Sequence, residues 1–389
     1  MNFYRPLIAS VFSLSLINPA LANDSSYYAS GNQVIPLQET DISVKKEILT
    51  IKRINDDKVQ ITVDYIFNNP GAEKTILMGF EAGPPSGDSG QSPVNGHHPY
   101  IANFSVMFND KTLPHKVSFF AQDYKKLENK IPLYTIDDLK KEQPPQAKVI
   151  EADPNAINYD PEFFFVYHFP ATFPNGDSRV VHNYDFAISG SVFTKDEIEY
   201  LLTPALRWAN KQIDDFTLNI DLGEFQQYHI SPTFFESADS WTTHGRVKIG
   251  MEDVIFQYSG KSSKFLTVWQ HKGSVSFHAK NFKPKSELEL FSNSYLPDQE
   301  SRVYDAKTLK INYGDLPYLG EVTLKDNFTR KVLENIPYAR RGYVFKNKDL
   351  KAYFEAQPWY MPDPEYKEAA FTEEEKAWLK EVRALEVAK

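Results

Sequence analysis

The sequence predicts a mainly β protein: an antiparallel β-sandwich-like body of one or two sandwiches with one inserted helix, followed by a small C-terminal helical module. Three observations predict it. Aromatic residues make up 14% of the chain, with 28 Phe and 22 Tyr, a composition that suits pleated, half-buried surfaces better than helical bundles. Between Asp41 and Phe277 apolar residues recur largely at every second position, in short runs separated by Asn, Asp, Gly and Pro, as strands with one buried face require. The chain also contains no cysteine, so an exported protein of this sequence is held by its core alone, and 389 residues are enough to build one.

The first segment is an address. Arg5 precedes an apolar run from Leu7 to Ile17, and Ala20-Leu21-Ala22 sets small residues before Asn23, the layout of a cleavable secretory leader of the Gram-negative type with cleavage after Ala22. The run is too short to cross a bilayer, and no later run approaches the roughly twenty apolar residues a spanning helix needs. The expectation is a periplasmic or secreted protein that does not span the membrane. With no cysteine at the cleavage site, no lipid anchor of the bacterial lipoprotein kind is expected either. A net charge of −9, made more negative by loss of Arg5, and a pI near 5.6 leave no basic stripe to displace counterions, which excludes a nucleic-acid partner.

Strands follow. Ile42, Val44 and Ile48-Leu49-Thr50-Ile51 alternate, Asn55-Asp56-Asp57 supplies turn chemistry, and Val59, Ile61, Val63, Tyr65 and Phe67 alternate on the return, which predicts a hairpin. A further hairpin is predicted at Phe104-Val106-Phe108, turning at Asn109-Asp110-Lys111. Phe163 to Phe169 is apolar almost throughout; Pro174-Asn175-Gly176-Asp177 turns it, and Val180, His182, Tyr184 and Phe186 alternate on the return. Thr194-Lys195-Asp196-Glu197 reads as a capping box opening a helix, with Ile198, Leu201 and Leu202 as its stripe and Pro204 as its stop. Strands resume at Phe216–Ile220, Val254–Phe256, Phe265–Trp269 and Val275–Phe277, punctuated by Gly260 and Gly273, as a second sheet layer or second sandwich.

Several of these segments resemble a bacterial family, the domain of unknown function numbered 4424. They are Asp41–Val44, Val63–Asn69, Phe173–Gly176, His182-Asn183-Tyr184, and Tyr200–Pro204 with Trp208, spread over about residues 24–292. The resemblance implies an exported β-rich protein and no known chemistry.

From Leu316 onward the period switches to that of helices. Phe328 to Tyr338 forms one, interrupted at Pro337; Leu350, Tyr353 and Phe354 mark a second; Thr372-Glu373-Glu374-Glu375 boxes a third, with Trp378, Leu379, Val382 and Leu385 inward. Gln357 to Pro364 is an ordered, proline-stiffened loop. The run Tyr338-Ala339-Arg340-Arg341-Gly342, with Tyr343, Phe345, Trp359 and Tyr360, resembles the YARHG domain of secreted and cell-surface bacterial proteins, with Arg341 standing where that family has histidine. The predicted organisation is a leader at 1–22, a first β-rich region at 23–190, a helix with a second β-rich region at 191–315, and the helical YARHG-like domain at 316–389.

Few constellations carry chemistry. Gly87-Asp88-Ser89-Gly90 invites a serine-hydrolase reading, but every histidine follows Ser89, Gln91 stands where a nucleophile elbow needs glycine, and a flexible loop is the better account. The nine histidines show no metal-ligand spacing, and only a pair such as His168 with His182 on facing strands would make a site. Asp56-Asp57, Asp137-Asp138 and Asp214-Asp215 lack the period of a calcium loop and read as solvated turns. No catalytic residue, metal site or cofactor is expected.

The candidate binding residues are Tyr338, Arg340, Arg341, Tyr343, Trp359 and Tyr360, which can form a cationic and aromatic pocket for an anion or peptide. The competing reading puts the aromatics in a small core, Gly342 in a left-handed helix cap, and Arg340 on the carbonyls the helix end leaves free. The expected function is that of an exported binding or interaction protein whose partner is an envelope protein or a cell-wall component. Two rivals remain: a hydrolase of cell-wall or extracellular polymer, marked by a cleft with one raised carboxyl near a second, and a carrier of a small apolar ligand.

Overall fold

The computed structural model describes residues 30–32, 34–37, 40–55, 57–83, 93–121, 133–138, 163–190, 194–224, 226–255, 262–293, 310–311, 322–323, 326–366, 371 and 373–384. The leader, the Gly87–Gly90 motif and the stretch from Lys140 to Asn158 lie outside the described residues. In chain order the strands are β1 Ser30–Asn32, β2 Val34–Pro36, β3 Ser43–Asn55, β4 Lys58–Asn69, β5 Lys74–Ala82, β6 Ile101–Phe108, β7 Lys111–Leu113 and β8 Lys116–Ala121. They continue with β9 Phe163–Phe173, β10 Gly176–Ala187, β11 Thr194–Leu201, β12 Ile213–Asp221, β13 Gln226–Ile230, β14 Trp241–Ile255, β15 Ser262–Phe282 and β16 Leu288–Asn293. The short pair β17 Lys310–Ile311 and β18 Val322–Thr323 precedes helices α1 Asn327–Arg340, α2 Lys348–Glu355 and α3 Glu373–Ala384.

Two sheets face each other. A 12-stranded sheet runs β1-β11-β16-β13-β15-β12-β3-β4-β10-β6-β7, with β14 along the other edge of β15, and a 4-stranded sheet runs β2-β5-β9-β8. Rings from both layers interlock: Phe67 of the large sheet lies 5.8 Å from Phe173 of the small one, and Phe80 of the small sheet lies 4.6 Å from Tyr184 of the large one. The predicted alternation is what fills this interior, since Val59, Ile61, Val63, Tyr65 and Phe67 of β4 are all buried. The Asn109-Asp110 turn between β6 and β7 has φ of 44° and 64°, the left-handed pair that a two-residue hairpin demands and that Asn and Asp tolerate best.

One buried side chain ties the corner where the chain changes sheets. Asn69 donates through Nδ2 to Ala72 O at 2.9 Å and to Phe173 O at 3.0 Å, while its Oδ1 accepts from Gly71 N at 3.1 Å. It thereby joins the β4–β5 and β9–β10 crossings. Phe163–Phe173 and its return are therefore not hairpin partners: β9 pairs with β5 and β8, whereas β10 pairs with β4 and β6.

Three further expectations are corrected. The inserted helix at Thr194 is a strand, β11, paired antiparallel with β16 and parallel with β1. Ile198, Tyr200 and Leu202 are buried at a period of two, and this alternation, rewarded by two neighbouring strands, overrides the capping box. Asp196 serves instead as the partner of Arg53 at 2.7 Å, and helical turning is deferred to a short 3-10 segment at Thr203–Arg207. Gly273 does not end a strand either; β15 runs through it with φ 130° beside Gly245 of β14, where a Cβ on Gly273 would lie 1.9 Å from His244 O. Finally, the two β-rich stretches share one sheet, because β12 runs parallel along β3 from Ile213–Val44 to Asp221–Lys52.

The helices form a second, smaller cluster. Asp326 caps α1, its Oδ1 accepting from Thr329 N at 2.8 Å while Thr329 Oγ1 accepts from Asp326 N at 3.0 Å. The helix runs through the buried Pro337 to Arg340, past the interruption predicted there. Asn347 caps α2 through Asp349 N and Leu350 N. Leu379 and Val382 of α3 are buried as expected, while Thr372 and the side chains of Trp378 and Leu385 lie outside the described residues.

Candidate functional site

Of the six predicted binding residues, Trp359 and Tyr360 belong to the core of the helical module and Tyr343 packs against it, while Tyr338, Arg340 and Arg341 are half-buried at the end of α1. Trp359 and Tyr360 are buried beside Phe345 and Phe354, and Tyr360 Oη donates to Tyr343 O at 2.7 Å, which pins the proline-rich loop to the chain leaving α1. Tyr338 and Tyr343 are half-buried, and Tyr338 meets Phe371 edge-on at 4.8 Å. Gly342 occupies the left-handed region at φ 89°, and Tyr343 N donates to Tyr338 O at 3.0 Å, as the cap reading requires. Arg341 reaches back to the helix end. Arg341 Nη1 donates to Pro337 O at 3.1 Å, and its guanidinium lies 5.0 Å from the centre of the Phe371 ring. Backbone geometry decides this, since Arg341 is the last residue before the glycine turn and its side chain doubles back onto the final helical turn.

The module is fastened to the β body along β14 and β15. Trp269 of β15 belongs to the same apolar cluster as Val332, Leu333, Ile336 and Trp359. On β14, Arg246 pairs with Asp363 at 3.0 Å and donates to Arg341 O at 3.3 Å and to Met361 O, while Lys248 donates to Tyr360 O at 2.8 Å. Sequence reasoning missed both cations, because an Arg and a Lys two apart in a strand also describe an ordinary solvated face.

A recess of about 280 Å³ opens at the end of the small sheet. Three pieces of chain build it. Asn95 and Gly96, with φ of 50° and 77°, turn the chain so that Val94 and His97 pair, presenting the His97 ring. His115, Val117 and Phe119 follow at a period of two along the start of β8, and a bridge between Phe119 and Tyr134 brings in Thr135 and Ile136. The imidazoles of His97 and His115 lie 6.1 and 6.0 Å from the Tyr167 ring, and His115 packs edge-on against Phe104 at 4.9 Å. Burial, and then the nearby His97, hold the His115 pKa below the ordinary value. Among the described residues no carboxylate lines the recess, although the chain as a whole carries −9. The recess offers two imidazoles and an apolar wall. In the sequence these histidines looked isolated, and only the Asn95-Gly96 turn marked the place.

His98, His168 and His182 have other surroundings. His98 is buried, with Nδ1 accepting from Tyr100 N and Nε2 donating to Gly83 O, and its pKa is pushed down to about 4 by burial. His168 bonds Ser118 Oγ at 2.9 Å, whereas His182 is fully buried and lies parallel to Tyr184 at 6.0 Å, so the His168–His182 pair does not form. No group of three metal-ligating side chains converges among the described residues. Glu199 is raised to about 7 by burial, then by Glu289 and Glu287. Those neighbours are committed elsewhere: Glu287 accepts from Leu202 N and Thr203 N, and Glu289 accepts from Ser231 Oγ at 2.9 Å. Glu287 thereby holds the start of the 3-10 segment, and Glu289 ties β16 to Ser231.

No described helix is long and apolar enough to cross a membrane. No curated protein matches the chain. Among solved structures, a Legionella pneumophila protein provisionally named as nutrient-binding is 19% identical, covering 93% of this chain and 99% of its own, with a TM-score of 0.45. An M1 zinc metallopeptidase of Deinococcus radiodurans is 7% identical over 66% of this chain and 43% of its own, with a TM-score of 0.23. At such scores neither transfers a function or a metal site. The family model of the YARHG domain matches residues 321–387, the span that holds all six residues of the aromatic and arginine cluster; this C-terminal helical region is a YARHG domain.

Proposed function

We propose that the protein is an exported binding protein of the cell envelope, which holds a small ligand in the His97–His115 recess and carries the YARHG domain as an accessory interaction element. The recess is the observation that carries this reading. Its apolar side, Val117, Phe119 and Ile136, suits the body of a ligand, while two imidazoles and Thr135 suit a neutral or anionic head group. Export rests on the leader sequence, and the partner is an envelope protein or a cell-wall component.

The test follows the ring signals of His97 and His115 by NMR while a panel of small carboxylates, amides and sugars is added, alongside a low-molecular-mass extract of bacterial envelopes. A saturable shift at both rings, lost when Val117→Trp fills the recess, is expected. Absence of any saturable shift, or a shift that persists in Val117→Trp, refutes the recess as the site. Cell fractionation checks export separately: a full-length cytoplasmic chain overturns it.

A further inference from the structure

We infer that the YARHG domain carries a receptor site for two cations spaced i and i+2 on an extended strand, and that in this chain the site is filled in cis by Arg246 and Lys248 of β14. The acceptors come from separate pieces of the domain and converge on the strand. The end of α1 supplies Arg341 O; the proline-rich loop supplies Met361 O and the Asp363 carboxylate for the guanidinium, and Tyr360 O at 2.8 Å and Pro358 O at 3.4 Å for the ammonium. Every partner given by the domain to these two side chains is a carbonyl or a carboxylate, the complement of donors that carry charge and no lone pair.

The domain is shaped around this occupant. A Cβ on Gly342 would stand 2.1 Å from Arg246 Nη2 and 2.7 Å from Met361 O, so the glycine of the Tyr-Ala-Arg-Arg-Gly run leaves the space the guanidinium needs. Asp363 N donates to Gly342 O at 2.7 Å, which locks the loop against that same turn. The strand is shaped to match. Side chains at i and i+2 share one face of a strand; the register shifts after Arg246, where His271 is the extra β15 residue between Lys272 and Gln270, and Trp269, opposite Lys248, enters the domain's apolar cluster. What is recognised is thus a short strand of the pattern Arg-x-Lys lying beside Trp269 of β15, which defines the class of chain that the site can accept in trans.

The test uses the full chain carrying Arg246→Ala and Lys248→Ala and a five-residue peptide with the sequence of residues 245–249, read by calorimetry. The emptied chain is expected to bind the peptide saturably. Wild-type chain, whose site is already filled, binds at least about tenfold more weakly, as do peptides with alanine in place of either cation, a factor that loss of one charge-assisted hydrogen bond produces. A folded double variant that binds the native and alanine peptides alike overturns the proposal. Should near-UV circular dichroism show the alanine pair unfolded, Arg246→Met with Lys248→Met keeps the stems and removes only the charges. Arg246→Lys needs no peptide: it keeps the charge and loses the fork, so a YARHG domain melting at the wild-type midpoint in that variant refutes the site.

Discussion

The β body and the YARHG domain bury their apolar residues with different resources. The body has one core running through both sheets, from Ile42 to Leu290, and it is deep enough to hold His182 with neither ring nitrogen bonded to a described residue. The domain has three helices of 14, 8 and 12 residues and a cluster that includes one residue of the body, Trp269. What it lacks in area it makes up with capped helix ends and with cations donated by β14. The difference reflects size: apolar burial grows with the number of residues enclosed, so the body is held by its core while the domain adds bonds at its edges.

The largest expected effect tests the body. Trp208 is 1% exposed and its ring lies 4.4 Å from that of Phe67, so Trp208→Ala is expected to destabilise the body by about 3–5 kcal/mol. Denaturant unfolding followed by far-UV circular dichroism measures this, and a loss confined to the helical signal would reverse the roles assigned to the two regions.

Acid sharpens the comparison next. Burial holds His182 at about 3 and both His98 and His229 at about 4, all below the ordinary histidine value of 6.5. As pH falls through 6.5 the unfolded chain takes up these protons first, so the stability contributed by each neutral imidazole is present above about 6.5 and drains away towards its folded pKa. Each such histidine adds a slope of about 1.4 kcal/mol per pH unit across that window. His182→Phe is expected to remove one such slope and to cost little at pH 7, because it deletes two buried nitrogens. An unchanged slope in calorimetric midpoints between pH 6.5 and 4 would mean that His182 is not held neutral.

The smallest effect belongs to the domain. Gly342→Ala forces a side chain into a left-handed position and against Arg246, at an expected cost of about 1–3 kcal/mol. Differential scanning calorimetry should show the domain's transition lowered and the body's unmoved. A single transition that shifts as a whole would show that the two regions unfold as one cooperative unit.

Much of the fold was legible because its signals are local. The alternation in Val59–Phe67 specified β4, Asn109-Asp110 specified a hairpin turn, and Tyr338–Gly342 specified a left-handed helix end. Where the local signal was ambiguous, the reading failed. Thr194–Leu202 satisfies a capping box and a strand equally well, and only the presence of β16 and β1 on either side settles it. Trp359 and Tyr360 lie in one apolar cluster, and whether such rings form a pocket or a core depends on what covers them. Here that is Phe345, Phe354 and the β body.

The sequence by itself determined the β class, the capped helices, the identity of the terminal domain and the absence of disulfides, because each depends on composition or on neighbours within about four residues. Only the tertiary structure decided that two β stretches share one sheet, that His97 and His115 meet in one recess, and that Arg246 lies in the acceptor site beside Gly342. The bonds from Arg246 to the domain join residues 95 to 117 positions apart. Nothing in the chemistry of an Arg or a Lys on a strand announces such a partner, since a solvated cation and a bound one are written with the same letters, and only the three-dimensional path of the chain distinguishes them.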